Sequence, residues 1–406
     1  MPALTLLTLI NLFNYLDRYV VAGVLPRIEA EFGLGHAQAG ALGTVFMAVY
    51  MLASPLGGYL GDRLPRRWVV AVSVFLWSVA TLASGWAGGF TALLLARALI
   101  GVGEAGYGTV APALLSDLYP AGRRTMVLSV FYAAMPVGAA AGYAVGGFFS
   151  QAGFWRGAFF SAGAPGLLLA ALALALPEPG RGANEGAPAA APALALRVGL
   201  RELRRNTAFW VNTAGQTLMT FSIGGLAFWM PTFLERERGL PADKAGFIFG
   251  AITAAAGITG TLTGGWLGAK ADRRSNLAGL RLSGGAFLAA APFMVTAGLF
   301  RQPTFIFASV FIAQFLVFVS SGPLNAALMT AVSPRLRAFA MGLSILVLHL
   351  LGDAISPPLI GTLAQATSFS AAIQANAVPL ACGGLVLLLI MRRPGLTADH
   401  QTESGA

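Results

Sequence analysis

The chain has 406 residues and a formal net charge of +10, yet 56% of its residues are hydrophobic and only 10% are charged. A soluble protein of this size carries about 25% charged residues, so the composition describes an integral membrane protein. The lone cysteine, Cys382, lies in an apolar run and excludes an intrachain disulfide and a cysteine metal cluster.

A membrane-crossing helix needs about 20 apolar residues. Such stretches fall at 3–29, 38–61, 68–88, 90–118, 125–151, 156–176, 207–234, 243–269, 277–299, 303–332, 337–366 and 370–391. The expectation is an all-α membrane protein with twelve spans and both termini on one side. No basic stretch precedes Arg18, so no cleaved leader is expected and any soluble N-terminal segment is expected to be very short.

Orientation follows from the bases. Eighteen lie in one set of loops: Arg63, Arg66, Arg67, Arg123, Arg124, Arg181, Arg197, Arg201, Arg204, Arg205, Lys270, Arg273, Arg274, Arg281, Arg335, Arg337, Arg392 and Arg393. Six lie in the other: Arg27, Arg156, Arg236, Arg238, Lys244 and Arg301. The first set, both termini and the central linker are therefore expected to be cytoplasmic. This topology accounts for much of the basic charge, and no nucleic-acid partner is implied.

Span one carries "NYLDRYVVAG", with Asp17 beside Arg18. Neighbours on a helix lie about 100° apart, so the two cannot face each other and at least one should reach another helix. Asn11, Asn14 and Arg18 share a face at i, i+3 and i+7. A buried charge facing lipid is costly, so this stripe is expected to line a cavity. The bland alternative is an ion pair that only orients helices.

Span four, "RALIGVGEAGYG", offers Arg97, Glu104 and Tyr107. A carboxylate at mid-depth tends to take up a proton when alone and stays ionised beside an arginine. Asp17 and Glu104 are therefore candidate proton sites, and Arg18 is a candidate ligand for an anionic head group. A constitutively ionised pair explains the same residues. "GVGEAG" also fits the dinucleotide fingerprint, but it sits inside a membrane span rather than after a strand. Gly138, Gly142 and Gly146 in span five, and Gly260, Gly264 and Gly268 in span eight, have the four-residue spacing that lets helices touch.

After span six, "PEPGRGANEGAPAAAP" (177–192) reads as flexible linker. The "LRVGLRELRR" that follows puts Leu196, Leu200 and Leu203 on one face and Arg197, Arg201 and Arg204 on another. That pattern describes a short helix at the membrane surface. Candidate neutral polar groups are Asn212 and Gln216 in span seven, and Ser320, Ser321 and Asn325 in span ten. Span ten also carries Phe305, Phe307, Phe311, Phe315 and Phe318, a possible apolar wall for a lipid tail or a lipid-facing surface. In span eleven, His349 and Asp353 can meet at i, i+4, and Pro357 and Pro358 should kink or break the helix.

"GGYLGDRLPRR" (57–67) matches "GGWLGAKADRR" (264–274), and "YPAGRR" after span four echoes "SPRLRA" after span ten. Echoes six spans apart imply two six-helix halves, 1–176 and 207–392, joined by a linker at 177–206 and followed by a tail at 393–406. This resembles the major facilitator superfamily. Five blocks resemble the spinster family of lipid transporters more closely: "NYLDRYVVAGVLP", "GYLGDRLPRR", "RALIGVGEAGYGTVAPALLSDLYP", "RTMVLSVFYAAMPVGAAAGYAVGG" and "LHLLGDAISPPLIG". The match is weaker in the second half outside span eleven.

The resemblance implies a functional role for Asp17 and Arg18, and a site between the halves near mid-membrane. It also implies a cytoplasmic gate of Asp62, Arg63, Arg66, Arg67, Asp117 and Arg123, with Asp62 near the start of span eleven. Ala269 takes the acid's place in the second copy, with Asp272 three residues on, so that latch should be weaker. His349 and Asp353 are further proton-site candidates, beside a structural reading.

The expected function is alternating-access transport of an amphiphile such as a lysophospholipid or sphingosine-1-phosphate, coupled to protons. The site needs no metal and no cofactor, and no catalytic constellation supports an enzyme. A monomer in a bacterial inner membrane, in contact with membrane lipids, is expected. A major-facilitator exporter of drugs or small organic ions is the first alternative. A lipid sensor or scramblase on the same fold is the second.

Overall fold

Long apolar runs without competing polar alternation favour helix, and helices are what the computed structural model shows. It describes residues 3–185, 194–272 and 278–389. Among the described residues there is no β-strand. The first helices are α1 (Ala3–Phe32), α2 (His36–Gly61), α3 (Arg66–Gly85), α4 (Phe90–Leu118), α5 (Ala121–Gln151) and α6 (Arg156–Ala173). The short α7 (Leu196–Arg205) follows, then α8 (Thr207–Arg236), α9 (Ala242–Asp272) and α10 (Ala278–Leu299). The last stretches are α11 (Pro303–Phe318), α12 (Ser321–Ala331), α13 (Arg337–Leu348), α14 (Ser356–Ala366), α15 (Phe369–Ala375) and α16 (Ala377–Leu389). Gly33, Gly153 and Gly239, at φ of 61°, 73° and 69°, follow the ends of α1, α5 and α8. Left-handed backbone at such positions closes a helix at little cost only with glycine.

Among the described residues, eleven helices are long and apolar enough to cross a membrane. The first expected span is not among them. At 30 residues α1 is long enough, but Asn11, Asn14, Asp17 and Arg18 make it less apolar than the others. Three expected spans are broken: α11/α12, α13/α14 and α15/α16. In each, a proline four residues on removes a hydrogen-bond donor at the break. Pro323 leaves the Val319 carbonyl without its helical donor, Pro357 that of Asp353, and Pro379 that of Ala375. Between α13 and α14 the chain makes one π-type turn over His349–Asp353. Proline alone does not decide, since Pro26, Pro55, Pro112 and Pro136 stay inside continuous helices.

The chain forms two compact units: Met1–Gly199 with Ser333–Leu346, and Leu200–Val332 with Val347–Ala406. In the first, Leu16, Val20, Val24, Ile28, Leu93 and Phe159 form part of a buried cluster. In the second, Phe233, Phe287, Met294, Val310 and Leu380 do so.

Glycine sets the closest contacts in both units. A Cβ built on Gly142 of α5 would lie 2.5 Å from the Leu16 carbonyl oxygen of α1 and 3.0 Å from Tyr19 Cβ. One on Gly146 would lie 2.6 Å from the Val20 oxygen. In the second unit, a Cβ on Gly260 of α9 would lie 2.5 Å from the Phe315 oxygen of α11. The four-residue glycine spacing is thus a true backbone-contact seam. Gly147, one residue away, faces nothing within 4 Å. Gly142→Ala is therefore expected to cost about 1–3 kcal/mol through overpacking. Gly147→Ala is expected to be neutral or stabilising, and the two melting temperatures in one detergent compare them.

Candidate functional site

The first unit buries four charges together. Asp17 and Arg18 leave α1 in different directions, as a 100° step requires. Arg18 reaches α4, where its Nε and Nη2 donate to Glu104 Oε2 at 3.1 and 2.6 Å. Its guanidinium carbon lies 4.7 Å from the ring centroids of both Tyr15 and Tyr50 and 5.0 Å from that of Phe46. Aromatic faces stabilise a cation that water does not reach. Asp17 turns the other way, and its Oδ2 accepts a hydrogen bond from Thr81 Oγ1 of α3. Arg97 of α4 is 1% exposed. Its Nε donates to the Leu42 carbonyl at 3.4 Å and its guanidinium lies 4.6 Å from the Phe46 centroid.

The cluster holds two acids and two bases, so it is electrically balanced, but its hydrogen bonding is incomplete. Asn14 Nδ2, Asp17 Oδ1, Arg97 Nη1 and Glu104 Oε1 are buried without a hydrogen-bond partner among the described residues. Buried polar atoms are rarely left so, because each costs a desolvation penalty. Asn14 lies beside Glu104, its amide directed at that carboxylate. Asp17 and Arg97 are close enough to interact electrostatically. The Arg97 Nη1 donor and the Asp17 Oδ1 acceptor are thus available to a ligand, a water or a proton.

Other expected site residues are occupied. Asn11 donates to the Phe131 carbonyl at 2.9 Å, and the Tyr107 hydroxyl donates to the Leu7 carbonyl at 2.6 Å. Both pin α1 to neighbouring helices. In the second unit, Asn212 donates to the Leu324 carbonyl at 2.8 Å and accepts from Gln216 at 2.6 Å. Ser320 bonds back to the Val317 carbonyl, and Asn325 donates to the Ser321 carbonyl at 2.8 Å. His349 Nδ1 lies 2.9 Å from Asp353 Oδ2, across the π-type turn. Of the phenylalanines, Phe305 is exposed, whereas Phe311 and Phe315 stack with centroids 6.3 Å apart.

A second ionic cluster sits where α2, α3, α4, α5 and α13 approach the linker. Asp62, just past α2, accepts from the Ala338 and Phe339 amides at 3.2 and 2.8 Å, capping the first turn of α13. Asp117 accepts from Arg66 and, at 2.6 Å, from Arg337. Arg63 stacks on Tyr59 and donates to the Leu194 carbonyl at 2.5 Å. Arg67 takes part through its backbone amide, and the Arg123 side chain is exposed.

The tract expected to be a flexible linker is not one over 177–185. Glu178 accepts from the Arg66 and Arg67 amides, both at 2.9 Å, capping α3. Gly182 donates to Asp117 at 3.1 Å, and Asn184 to the Asp117 carbonyl at 2.5 Å. Glu185 accepts from Arg124 at 2.6 Å and from Arg337 at 2.5 Å. Acids spaced seven apart met the unpaired amides and guanidiniums that the spans left at their ends. Arg124 and Arg337 were expected in loops but lie in α5 and α13, both buried. Thr81, Phe46, Tyr50, Glu178 and Glu185 escaped the sequence reading. Only the pairing of acids with nearby loop arginines could have signalled the last two. Of the second-copy latch, Ala269 lies in α9. The Asp272 side chain, Arg273, Arg274, Arg392 and Arg393 fall outside the described residues, as does the linker at 186–193.

Electrostatics separate two acids of this second cluster. Burial pushes the Asp62 carboxyl up to about 6, although Arg66 and the Phe339 and Ala338 amides pull the other way. Burial also acts to raise Glu185, but the Arg337 and Arg124 guanidiniums together outweigh it and hold that carboxyl below its usual value.

A bundle of long apolar helices with charges held inside it is the build of a secondary transporter. The chain matches the Major Facilitator Superfamily over residues 7–352. Protein spinster homolog 3 of Danio rerio is 37% identical over 383 residues, covering 90% of this chain and 77% of that protein. A bacterial homologue of the human lysosomal transporter Spinster, solved in an inward-facing, unoccupied conformation, is 25% identical with a TM-score of 0.64, covering 96% of each chain. The proton:xylose symporter XylE shares the fold alone, at 18% identity and a TM-score of 0.76. The protein is therefore a non-enzymatic, multi-pass transporter of the major facilitator class, and the chain belongs to its spinster family.

Two outcomes are expected. Removing one partner of a buried ion pair strands the other, so Glu104→Ala should cost about 3–5 kcal/mol. Arg18→Ala with Glu104→Ala should cost less than the sum, and melting of both single variants and the double variant measures the coupling. For Asp62, the packed state holds a proton between its raised value of about 6 and the ordinary 3.8. Detached, it has given that proton up, so acidification across this window favours the packed state and rising pH weakens it. In a Cys382→Ser background, maleimide labelling of Ser344→Cys should slow from pH 7 to 5 relative to the same protein carrying Asp62→Asn.

Proposed function

We propose that this chain moves an amphiphilic lipid with an anionic head group, of the lysophospholipid or sphingosine-1-phosphate kind, by proton-coupled alternating access. The carrying observation is the balanced but under-bonded cluster of Asp17, Arg18, Arg97 and Glu104, with Asn14 beside it. An anion bound by Arg18 and Arg97 leaves one excess negative charge in a low-dielectric interior. A proton on Asp17 or Glu104 cancels it. Anion and proton thus favour each other's binding, which is the linkage a symporter requires. Asn11 and Tyr107 in the first unit and, separately, Asn212, Gln216, Ser320, Ser321 and Asn325 in the second are the proposed polar contacts of the substrate. His349 and Asp353 form a second proton site, in a π-type turn of the kind often found at functional positions.

In this reading α1 is the twelfth span, its polar stripe serving the site. The halves are 1–176 and 207–392, with the linker and both termini cytoplasmic, and the protein works as a monomer in a bacterial inner membrane. Asp62, Arg63, Arg66, Arg67, Asp117 and Arg123, joined by Glu185, form the gate that releases α13 when the cytoplasmic side opens.

The test is uptake into proteoliposomes of a panel of lysophospholipids and sphingoid phosphates, with and without a pH gradient. Saturable uptake should fall when the gradient is abolished. Glu104→Gln should remove that dependence, and Arg18→Ala should abolish saturable uptake. An unchanged rate without the gradient rejects coupling through Asp17 or Glu104. Competition by drug cations but not lysolipids rejects the lipid assignment, and unsaturable, undirected flipping rejects a transporter.

A further inference from the structure

The ten residues of α7 carry an apolar face that the protein covers only in part. Leu203 is 1% exposed, and Gly199 is buried against Leu336. Leu196 and Leu200, expected on the same face, are each 43% exposed, and Val198 is 51% exposed. Arg197, Arg201, Arg204 and Arg205 are all exposed, whereas the helix's one acid, Glu202, is half-buried. At 100° per residue, Leu196 and Leu200 lie on one flank of the covered seam, and the arginines occupy the next arc. The outer surface is thus a leucine edge beside a row of four guanidiniums.

We propose that this surface docks anionic phospholipid head groups of the membrane leaflet it borders. Three observations select that occupant. First, the helix is tethered at the bilayer boundary. One residue, Asn206, separates it from α8, which is long and apolar enough to cross a membrane. Asn206 caps α8 by accepting from the Phe209 amide at 2.9 Å, and at the other end the Leu194 carbonyl is held by Arg63 at 2.5 Å. Second, the uncovered leucines need an apolar environment that water does not supply. Charged loops set topology without any exposed leucine, so topology does not explain them. Third, arginine suits a phosphate diester at this depth. Its stem lies along apolar surface while its planar fork donates two hydrogen bonds to phosphate oxygens. An acidic protein segment would match the arginines but leave the leucine edge in water. A second copy of α7 would set arginines against arginines.

The inference is independent of the transported substrate and is read by lipid contact. Full-length protein in a Cys382→Ser background, with Val198→Cys carrying bimane, is placed in nanodiscs. The nanodiscs contain brominated phosphatidylglycerol or brominated phosphatidylcholine at one mole fraction. Each arginine near an anionic surface contributes about fivefold in affinity, so phosphatidylglycerol should quench several-fold more strongly. About 1 M salt should reduce that preference. Arg197→Gln, Arg201→Gln, Arg204→Gln and Arg205→Gln together should abolish it while leaving the melting temperature unchanged. The salt arm needs no variant, so the test survives if the quadruple variant fails to fold. Equal quenching by the two lipids in the parent protein overturns the proposal. So does quenching by neither, which would mean that protein, from a partner or a second copy, covers α7.

Discussion

The physical constraint behind this structure is the cost of holding charge away from water. Arg18 and Glu104 meet at 2.6 Å, with side chains 10% and 0% exposed. Neither ion is tolerable there alone. The pair therefore fixes α1 against α4, and the aromatic groups of Tyr15, Phe46 and Tyr50 complete the cation's surroundings. Asp17 and Arg97 fall into the same pocket and balance its charge. The glycine seam between α1 and α5 supports this arrangement, because only backbone-to-backbone contact brings α1 so close. Satisfying the charges only partly leaves a site that gains from accepting something more.

The same constraint governs the linker end of the first unit, with a different solution. There Asp62, Arg66, Asp117, Arg124, Arg337 and Glu185 form a connected network, and helix ends supply several of the donors. Asp62 and Glu178 each sit at a helix N-terminus, where unpaired amides favour an anion. Asp62, Arg66, Asp117, Arg124 and Arg337 are as buried as the first cluster, and Glu185, its side chain 29% exposed, is where this network borders water.

Much of this was legible in the residues. Apolar length located the helices, and the charge placement located the first ionic cluster. The angle between Asp17 and Arg18 required that they seek different partners. The glycine spacing marked the seam, and "GGYLGDRLPRR" marked Asp62. What escaped has a common cause. Thr81, Phe46 and Tyr50 are ordinary residues in apolar helices, and nothing local distinguishes them from neighbours that face lipid. The order in 177–185 escaped because its composition reads as flexible, while its anchors are groups on α3, α4, α5 and α13.

The sequence by itself determined that this is a multi-pass helical protein with charges inside it, because hydropathy and helical periodicity act over a few turns of one chain segment. It also carried the family likeness. Only the tertiary structure decided which charges pair, which polar atoms stay unsatisfied, and which leucines of α7 remain uncovered. Those outcomes depend on distances between segments up to 277 residues apart, as for Asp62 and Phe339. Electrostatic and hydrogen-bond energies are set at that range by packing, and no local pattern encodes them.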